Sequence, residues 1–311
     1  MDYTKSALIY YQQGLNDKEV AERVNTTIKL ANVTKSSAED ISSQMTAIWN
    51  NFSDGSHSLE YYADVITALG AKTAASSAEI ADGLGKFAAV ADTVGLSYEY
   101  ATSALATVVA ETRQSADTVG NAFKALFARI QSVNLGETLE DGVNLTKYTK
   151  ALETVGVQVL DMNGNLKDAD DILNDLGDRW QEISNSEKAA LAQTVAGQRQ
   201  YAQMMALMNN WDKVRKNVEI AKGSSGTLQQ QQEIYAESWE AASKRVKASI
   251  QSIYQDLLDD KFFIGFLNGL SGVLNGIDSF IDKIGGLKGV LTTLGAVAMQ
   301  VFSKDLAAKI D

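Results

Sequence analysis

The chain contains no proline in 311 residues, and this absence limits its possible folds more than any other feature. Proline breaks helices because it lacks the backbone N–H and its ring clashes with the preceding turn. Alanine, leucine, lysine, glutamate and glutamine, all good helix formers, occur throughout the sequence. We therefore predict an all-α fold, mainly helical, in which nothing intrinsically interrupts a helix.

The composition indicates a folded, acidic protein. Hydrophobic residues make up 45% of the chain, which supports a core and argues against wholesale disorder. The formal net charge is −11 and no run of Lys or Arg forms a patch, so we predict no sequence-specific nucleic-acid binding. The absence of cysteine excludes disulfides and thiolate chemistry. The opening residues, MDYTKSALIYYQQG, show no secretory signal pattern.

Capping patterns indicate where the first helices begin. Residues 1–35 are predicted to be an N-terminal helical segment, interrupted near Gly14. The tetrapeptide SSAE occurs at Ser36–Glu39 and again at Ser76–Glu79, with the serine-to-glutamate spacing of a capping box. We interpret the copies as two independent helix starts, because the residues between them do not match as a repeat would. A further helix is predicted from about Leu59 to Gly70.

Three more helices follow in close succession. The first runs from Ala78 to about Val94 and stops at Gly95, the second starts at Ser97, and the third follows Ser115. The third carries a stripe with the i, i+3, i+4, i+7 spacing of a buried helix face. Its members are Phe123, Leu126, Phe127 and Ile130.

The pattern changes once, to alternating apolar and polar residues. The stretch VGVQVLDMNGNLKD has Asn163-Gly164 at its centre, and an Asn-Gly pair between alternating residues is a strong hairpin signal. We predict one small β-hairpin near 157–168, followed by a helix from Asp170 to Ile183. The Asp161, Asn163, Asn165 alternation is superficially similar to a calcium loop, but the glycine and glutamate positions of an EF-hand are not met.

The stretch AGQRQYAQMMALMNNW, from Ala196 to Trp211, combines amide and methionine side chains on one predicted helix. Ser184–Ser186 supplies the cap of this helix. Its broad apolar side is formed by Leu191, Val195, Tyr201, Met204, Met205, Met208 and Trp211. Methionine fills irregular gaps in cores, and we favour that interpretation over a promiscuous peptide groove. The flanking amides and Arg199 are expected to satisfy backbone groups of a neighbouring element.

The last third divides into a linker and two helical segments. KGSSGT at 222–227 is predicted to be a linker, and 228–260 a long amphipathic helix. Apolar and small residues of that helix recur at heptad-compatible spacings, so packing on its own domain and an oligomeric coiled coil remain equal alternatives. The members of this seam are Tyr235, Trp239, Ala242, Val246, Ser249 and Ile253.

The segment 261–311 is apolar and rich in glycine. Gly265, Gly269, Gly272 and Gly276 share one helical face, which is typical of close helix–helix packing. Charged residues interrupt each apolar run before it reaches the roughly 20 residues of a spanning helix. We therefore favour a helix contact or a conditionally membrane-active segment over a constitutive anchor.

Motifs for catalysis are weak throughout. His57 is the only histidine, so neither a two-histidine zinc motif nor a Cys/His zinc site is possible. GLGKFA, from Gly83, matches a dinucleotide fingerprint in letters only, because it lies in a helical segment without a preceding strand. We predict no catalytic residue, no cofactor and no metal, and hence a protein that is not an enzyme.

Four elements in order carry a resemblance to a known family. They are MTAIWNNF from Met45, AEIADGLGKFAAVADTVGLSYEYATSALATVVAETRQSADTVGNAFKALFARI from Ala78, VGVQVLDMNGNLKDADDILNDLGDRW from Val155, and LAQTVAGQRQYAQMMALMNNW from Leu191. Together they resemble the core region of phage tail tape measure proteins of the TP901 family. The resemblance implies a tape measure core domain at 36–221. It also implies a structural signature, formed by Phe123, Phe127, Arg129, Asn163, Gly164, Gly197, Arg199, Gln200, Met204, Met205, Met208 and Trp211.

The same resemblance implies a virion component of a long-tailed phage or prophage. Such proteins are made in the bacterial host cytoplasm, occupy the tail lumen, take part in tail assembly and tail length determination, and leave on DNA ejection. The implied partners are copies of the chain itself, the tail tube protein, tail assembly chaperones and distal tail or tip proteins, with possible contact with the host inner membrane. Full members extend further, so the chain is expected to be a fragment, the product of a truncated prophage gene, or one piece of a split protein.

Two other functions remain as alternatives. One is a membrane-perturbing or pore-type α-helical protein that acts through its apolar C-terminal segment. The other is a fragment of a cell-wall hydrolase, which no nucleophile or zinc pair supports. For the tape measure interpretation we expect a monomeric, cooperatively melting core and a self-associating C-terminal third.

Overall fold

The computed structural model describes residues 2–238 together with 242, 244 and 245. One compact unit spans Met1–Tyr235, and a second spans Ala236–Asp311. The greater part of the predicted long helix at 228–260, with most of its heptad seam, and the whole segment 261–311 lie outside the described residues. The four glycines predicted to pack helices, Gly265, Gly269, Gly272 and Gly276, therefore also lie outside them.

The described part of the chain is all-α and consists of twelve helices. In chain order these are α1 (Asp2–Gln12), α2 (Asp17–Thr34), α3 (Ala38–Phe52), α4 (Leu59–Lys72), α5 (Ser77–Thr93), α6 (Tyr98–Thr112), α7 (Ala116–Asn134), α8 (Leu145–Thr154), α9 (Ala169–Arg179), α10 (Asn185–Asn209), α11 (Trp211–Lys222) and α12 (Thr227–Ala236). The interruption predicted near Gly14 falls between α1 and α2, and the helix predicted to stop at Gly95 is α5.

Serine caps start six of these twelve helices. Ser76 accepts the backbone N–H of Glu79, whose carboxylate accepts in return from the backbone N–H of Ser76, so the predicted capping box is confirmed. The prediction for the other SSAE copy is wrong by one residue, because Ser37 is the N-cap of α3. Ser36 instead donates its backbone N–H to the carbonyl of Ala31 and belongs to the end of α2.

The core is built around the crossing of α5 and α7. Gly83 and Gly120 let the two backbones meet, since a Cβ added at Gly120 would lie 2.5 Å from the carbonyl oxygen of Gly83. Beside them Phe87 packs edge-on against Phe123, with ring centroids 5.4 Å apart, and stacks on Phe127. All four residues of the predicted stripe on α7 are buried, which confirms that face.

The predicted β-hairpin is reduced to a single antiparallel bridge between Leu160 and Leu166. The backbone N–H of Lys167 donates to the carbonyl of Val159, and a turn begins at Asp161, but no β-strand occurs among the described residues. The ribbon is short because α9 follows at once, and the backbone N–H of Ala169 at its start donates to the carbonyl of Val94 at the end of α5. The helix predicted from Asp170 to Ile183 corresponds to α9, which ends at Arg179.

The segment predicted as a linker, 222–227, forms the turn between α11 and α12 and is bound to the core. Asp64 on α4, which is buried, accepts the backbone N–H groups of Gly226 at 2.9 Å and of Leu228 at 2.7 Å. Leu228 is fully buried beside this contact. Within residues 2–238 no helix has both the length and the apolar run needed to cross a bilayer.

Candidate functional site

The signature segment lies on a helix that is broken in the middle. α10 is interrupted at Gly197, whose φ of 76° and ψ of 170° are non-helical and belong to a region that is essentially restricted to glycine. The prediction of one continuous helix with one broad apolar side is therefore wrong. The spacing of six residues between Val195 and Tyr201 marks the break, because a continuous helix face recurs every three or four residues.

Arg129 on α7 holds the first half of α10 at this break. Its Nε and Nη2 atoms donate to the carbonyl oxygen of Thr194 at 3.2 and 3.1 Å, and Nη2 also bonds the carboxylate of Asp141 at 2.6 Å. The C-terminus of a helix leaves carbonyl groups without hydrogen-bond donors and favours a nearby positive charge. The guanidinium of Arg129 provides both the donors and the positive charge. A Cβ at Gly197 would lie 3.5 Å from the same guanidinium.

Asp141 completes this contact. Burial acts to raise the pKa of its carboxyl, but hydrogen bonds from Arg129 and from the backbone N–H of Val143 outweigh it and hold the pKa below its ordinary value. The Arg129 side chain is only 14% exposed while that of Asp141 is 44% exposed, so the ion pair is closed on one side by the core and open to solvent on the other. We refer to Arg129, Asp141, Thr194 and Gly197 as the clamp.

The second half of α10 fills the core with methionines. Met204 and Met208 are fully buried and Met205 is half-buried. Gln203, which is also buried, donates from Nε2 to the Oε1 atom of Gln114 at 2.9 Å. This half therefore packs through both apolar contacts and one buried amide pair.

Trp211 lies outside α10, at the first position of α11. It is 2% exposed and stacks on Tyr100 with ring centroids 6.0 Å apart. Gly177 on α9 provides the space for the ring, since a Cβ there would lie 1.9 Å from Cδ1 of Trp211. No local sequence pattern marks Gly177, because its partner Trp211 is 34 residues away and only the fold brings them together.

Other predicted signature residues lie on the surface. Arg199 is exposed and Gln200 half-buried, and the side chain of neither makes a hydrogen bond to another residue in the described part of the chain. The contact expected of Arg199 is made instead by Arg129, which reaches the break from α7. Asn163 and Gly164 form the exposed tip of the ribbon.

A second feature is a cleft of about 480 Å³ between the α3–α4 loop, the α5–α6 turn and the start of α9. Tyrosines and carboxylates line it, and His57 stacks on Tyr61 with ring centroids 4.0 Å apart. Burial raises the pKa of Asp170 to about 6, against hydrogen bonds from Ser97 and with the help of nearby Asp171 and Glu99. Among the described residues, no three acidic or histidine side chains converge as a metal site would require.

Residues 2–197, from α1 to the break in α10, match the model of the family described as Phage-related minor tail protein. No solved structure matches the chain.

Proposed function

Since the chain belongs to the phage-related minor tail protein family, we propose that it is a structural component of a phage or prophage tail, and more specifically a tape measure protein of the TP901 type. The observation that carries the proposal is the family match over residues 2–197, which covers α1 to α9 and the first half of α10. The order of motifs from Met45 to Trp211 supports the finer assignment to the tape measure type.

The proposed role is mechanical and not enzymatic. A helix advances 1.5 Å per residue, so a chain without proline can convert length in sequence into length in space. In this role the protein occupies the tail lumen during assembly, sets the tail length and leaves when DNA is ejected. Its net charge of −11 favours that exit path, because an acidic filler does not bind the DNA backbone.

The proposed partners follow from the same role. They are further copies of this chain, the tail tube protein, the tail assembly chaperones and the distal tail or tip proteins. Contact of the apolar segment 261–311 with the host inner membrane is part of the proposal for ejection. Adding the full chain to dye-loaded phosphatidylglycerol vesicles tests it: dye release supports the membrane contact, and intact vesicles at every protein-to-lipid ratio contradict it.

The experiment that tests the tail role uses tails purified from the phage or prophage that encodes the chain. We expect mass spectrometry to find the chain in intact tails, protected there from added protease, and to find it released after ejection is triggered. The tail tube protein is the control, because it should remain in the tails before and after. Absence of the chain from tails would contradict the tail role, and its retention after ejection would contradict the ejection step.

A further inference from the structure

The local sequence of α10 favours one continuous helix. The helix begins with a complete capping box, in which Ser184 and Glu187 exchange hydrogen bonds. Beyond it the first half is rich in alanine and the second half in glutamine and methionine, all of which are good helix formers. At the break, by contrast, no side chain of a described residue accepts the backbone N–H of Gln198 or Arg199, so no new N-cap starts the second half.

Tertiary contacts therefore impose the bend. The clamp holds the end of the first half, which also buries Leu191 and Val195. The second half is held by its own buried side chains, including Met204 and Met208. Only glycine at position 197 allows the backbone to satisfy both sets of contacts, since its φ is 76°. A conflict between local preference and global packing of this kind is expected at a functional or strained site.

We propose that α10 is a two-state element, bent at Gly197 in the compact core and continuous when the Arg129 contact is released. As a continuous helix its 25 residues would extend about 37 Å. The two halves cannot then both keep their places in the core, so straightening opens the core and lengthens the molecule at this point. This conformational change of α10 goes beyond the proposed tail function, and an experiment that disproved it would not contradict the tail function.

Distance measurements on the full chain test the proposal. The natural sequence has no cysteine, so Asn185→Cys and Ala202→Cys, both at exposed positions, would carry the only two spin labels. In a continuous helix these positions lie about 26 Å apart along the axis, and in the bent form they lie closer. The distance distribution would be recorded for the labelled chain and for its variants with Gly197→Ala, alone and together with Arg129→Gln.

Alanine at 197 disfavours the bent backbone and favours the helical one, so it should shift the balance toward the straight form on the order of a hundredfold. Removing the Arg129 contact should shift it further in the same direction. Gly85→Ala is the matched control, because Gly85 lies within α5 and a Cβ there meets only Gln44, at 3.8 Å. The spin-label distance distribution of this variant should equal that of the labelled parent chain.

The expected result is a population near 26 Å in Gly197→Ala that grows in the double variant, with helical circular dichroism retained. Two results would overturn the proposal. One is an unchanged short distance in both variants. The other is loss of helical signal without a long-distance population, which would show that the bend is simply required for folding.

Discussion

Gly177 shows how a single missing side chain determines the packing of this core. The indole of Trp211 lies against it and stacks on Tyr100. Because the ring is 2% exposed, it has no solvent-filled space into which it can move. The position therefore requires glycine for reasons of space, although its backbone is helical.

We expect Gly177→Ala to lower the free energy of unfolding by about 2–3 kcal/mol, since the added methyl overpacks a closed site. Urea denaturation of the full chain, followed by circular dichroism, measures this. Gly85→Ala is the control and should be neutral or stabilising by up to about 1 kcal/mol, because it gains helix propensity without a clash. Equal stability of the two variants would contradict this account of Trp211.

The carboxyl of Asp170 gives a pH-dependent prediction. Its pKa is raised from 3.8 to about 6 by burial, so between these values the folded state holds a proton that the unfolded state has lost. Stability from this group is therefore present below about pH 4 and is lost as the pH rises through about 6. We expect Asp170→Asn to be more stable than the natural chain by about 1–2 kcal/mol at pH 8, and equally stable at pH 4.

Urea midpoints at the two pH values test this prediction. Asp92→Asn is the control, because Asp92 lines the same cleft but is exposed, and it corrects for the general effect of removing one negative charge. A stability difference between Asp170→Asn and the natural chain that does not change with pH would show that burial does not govern this carboxyl.

Residues whose partners are close in sequence could be predicted, and those with distant partners could not. Ser76, Ser97 and Ser115 cap helices as expected, because each accepts a backbone N–H three residues later. Arg129 was assigned to the signature only by resemblance, since its acceptor Thr194 is 65 residues away. No local sequence pattern indicates a contact between residues that far apart in the chain.

At the scale of elements, periodicity located helices well and their interruptions poorly. The stripe on α7 is continuous and was recognised, whereas α8 was not predicted because its ten residues bury only three side chains. The break in α10 was visible as an irregular spacing, but a bend imposed by packing has no local signal of its own. The turn of the hairpin was predicted from Asn163-Gly164, but its reduction to a single bridge between Leu160 and Leu166 was not.

The turn between α11 and α12 depends on one carboxylate, and this gives a prediction at the element scale. Asp64→Ala leaves the N–H groups of Gly226 and Leu228 without their acceptor. We expect a loss of about 2–4 kcal/mol and faster tryptic cleavage after Lys222. Asp64→Asn keeps one acceptor oxygen and should give an intermediate cleavage rate. If all three chains were cleaved at the same rate, Asp64 would not anchor this turn.

For the molecule as a whole, the absence of proline predicted the fold class, and the order of the motifs predicted a phage tail protein. The match over residues 2–197 supports a phage tail protein, while the tape measure role is our proposal. The partners of the chain could not be derived from composition, because charge and hydrophobicity describe a surface and not what binds it.

The most direct test of that role is tail length against chain length. Helix-forming segments of 30, 60 and 90 residues would be inserted in frame after Ala236 in the encoding phage, and tails would be measured by electron microscopy. A tape measure predicts a linear increase with a slope of about 1.5 Å per inserted residue, or about 90 Å for the middle insertion. Tails of normal form and unchanged length at all three insertions would contradict it.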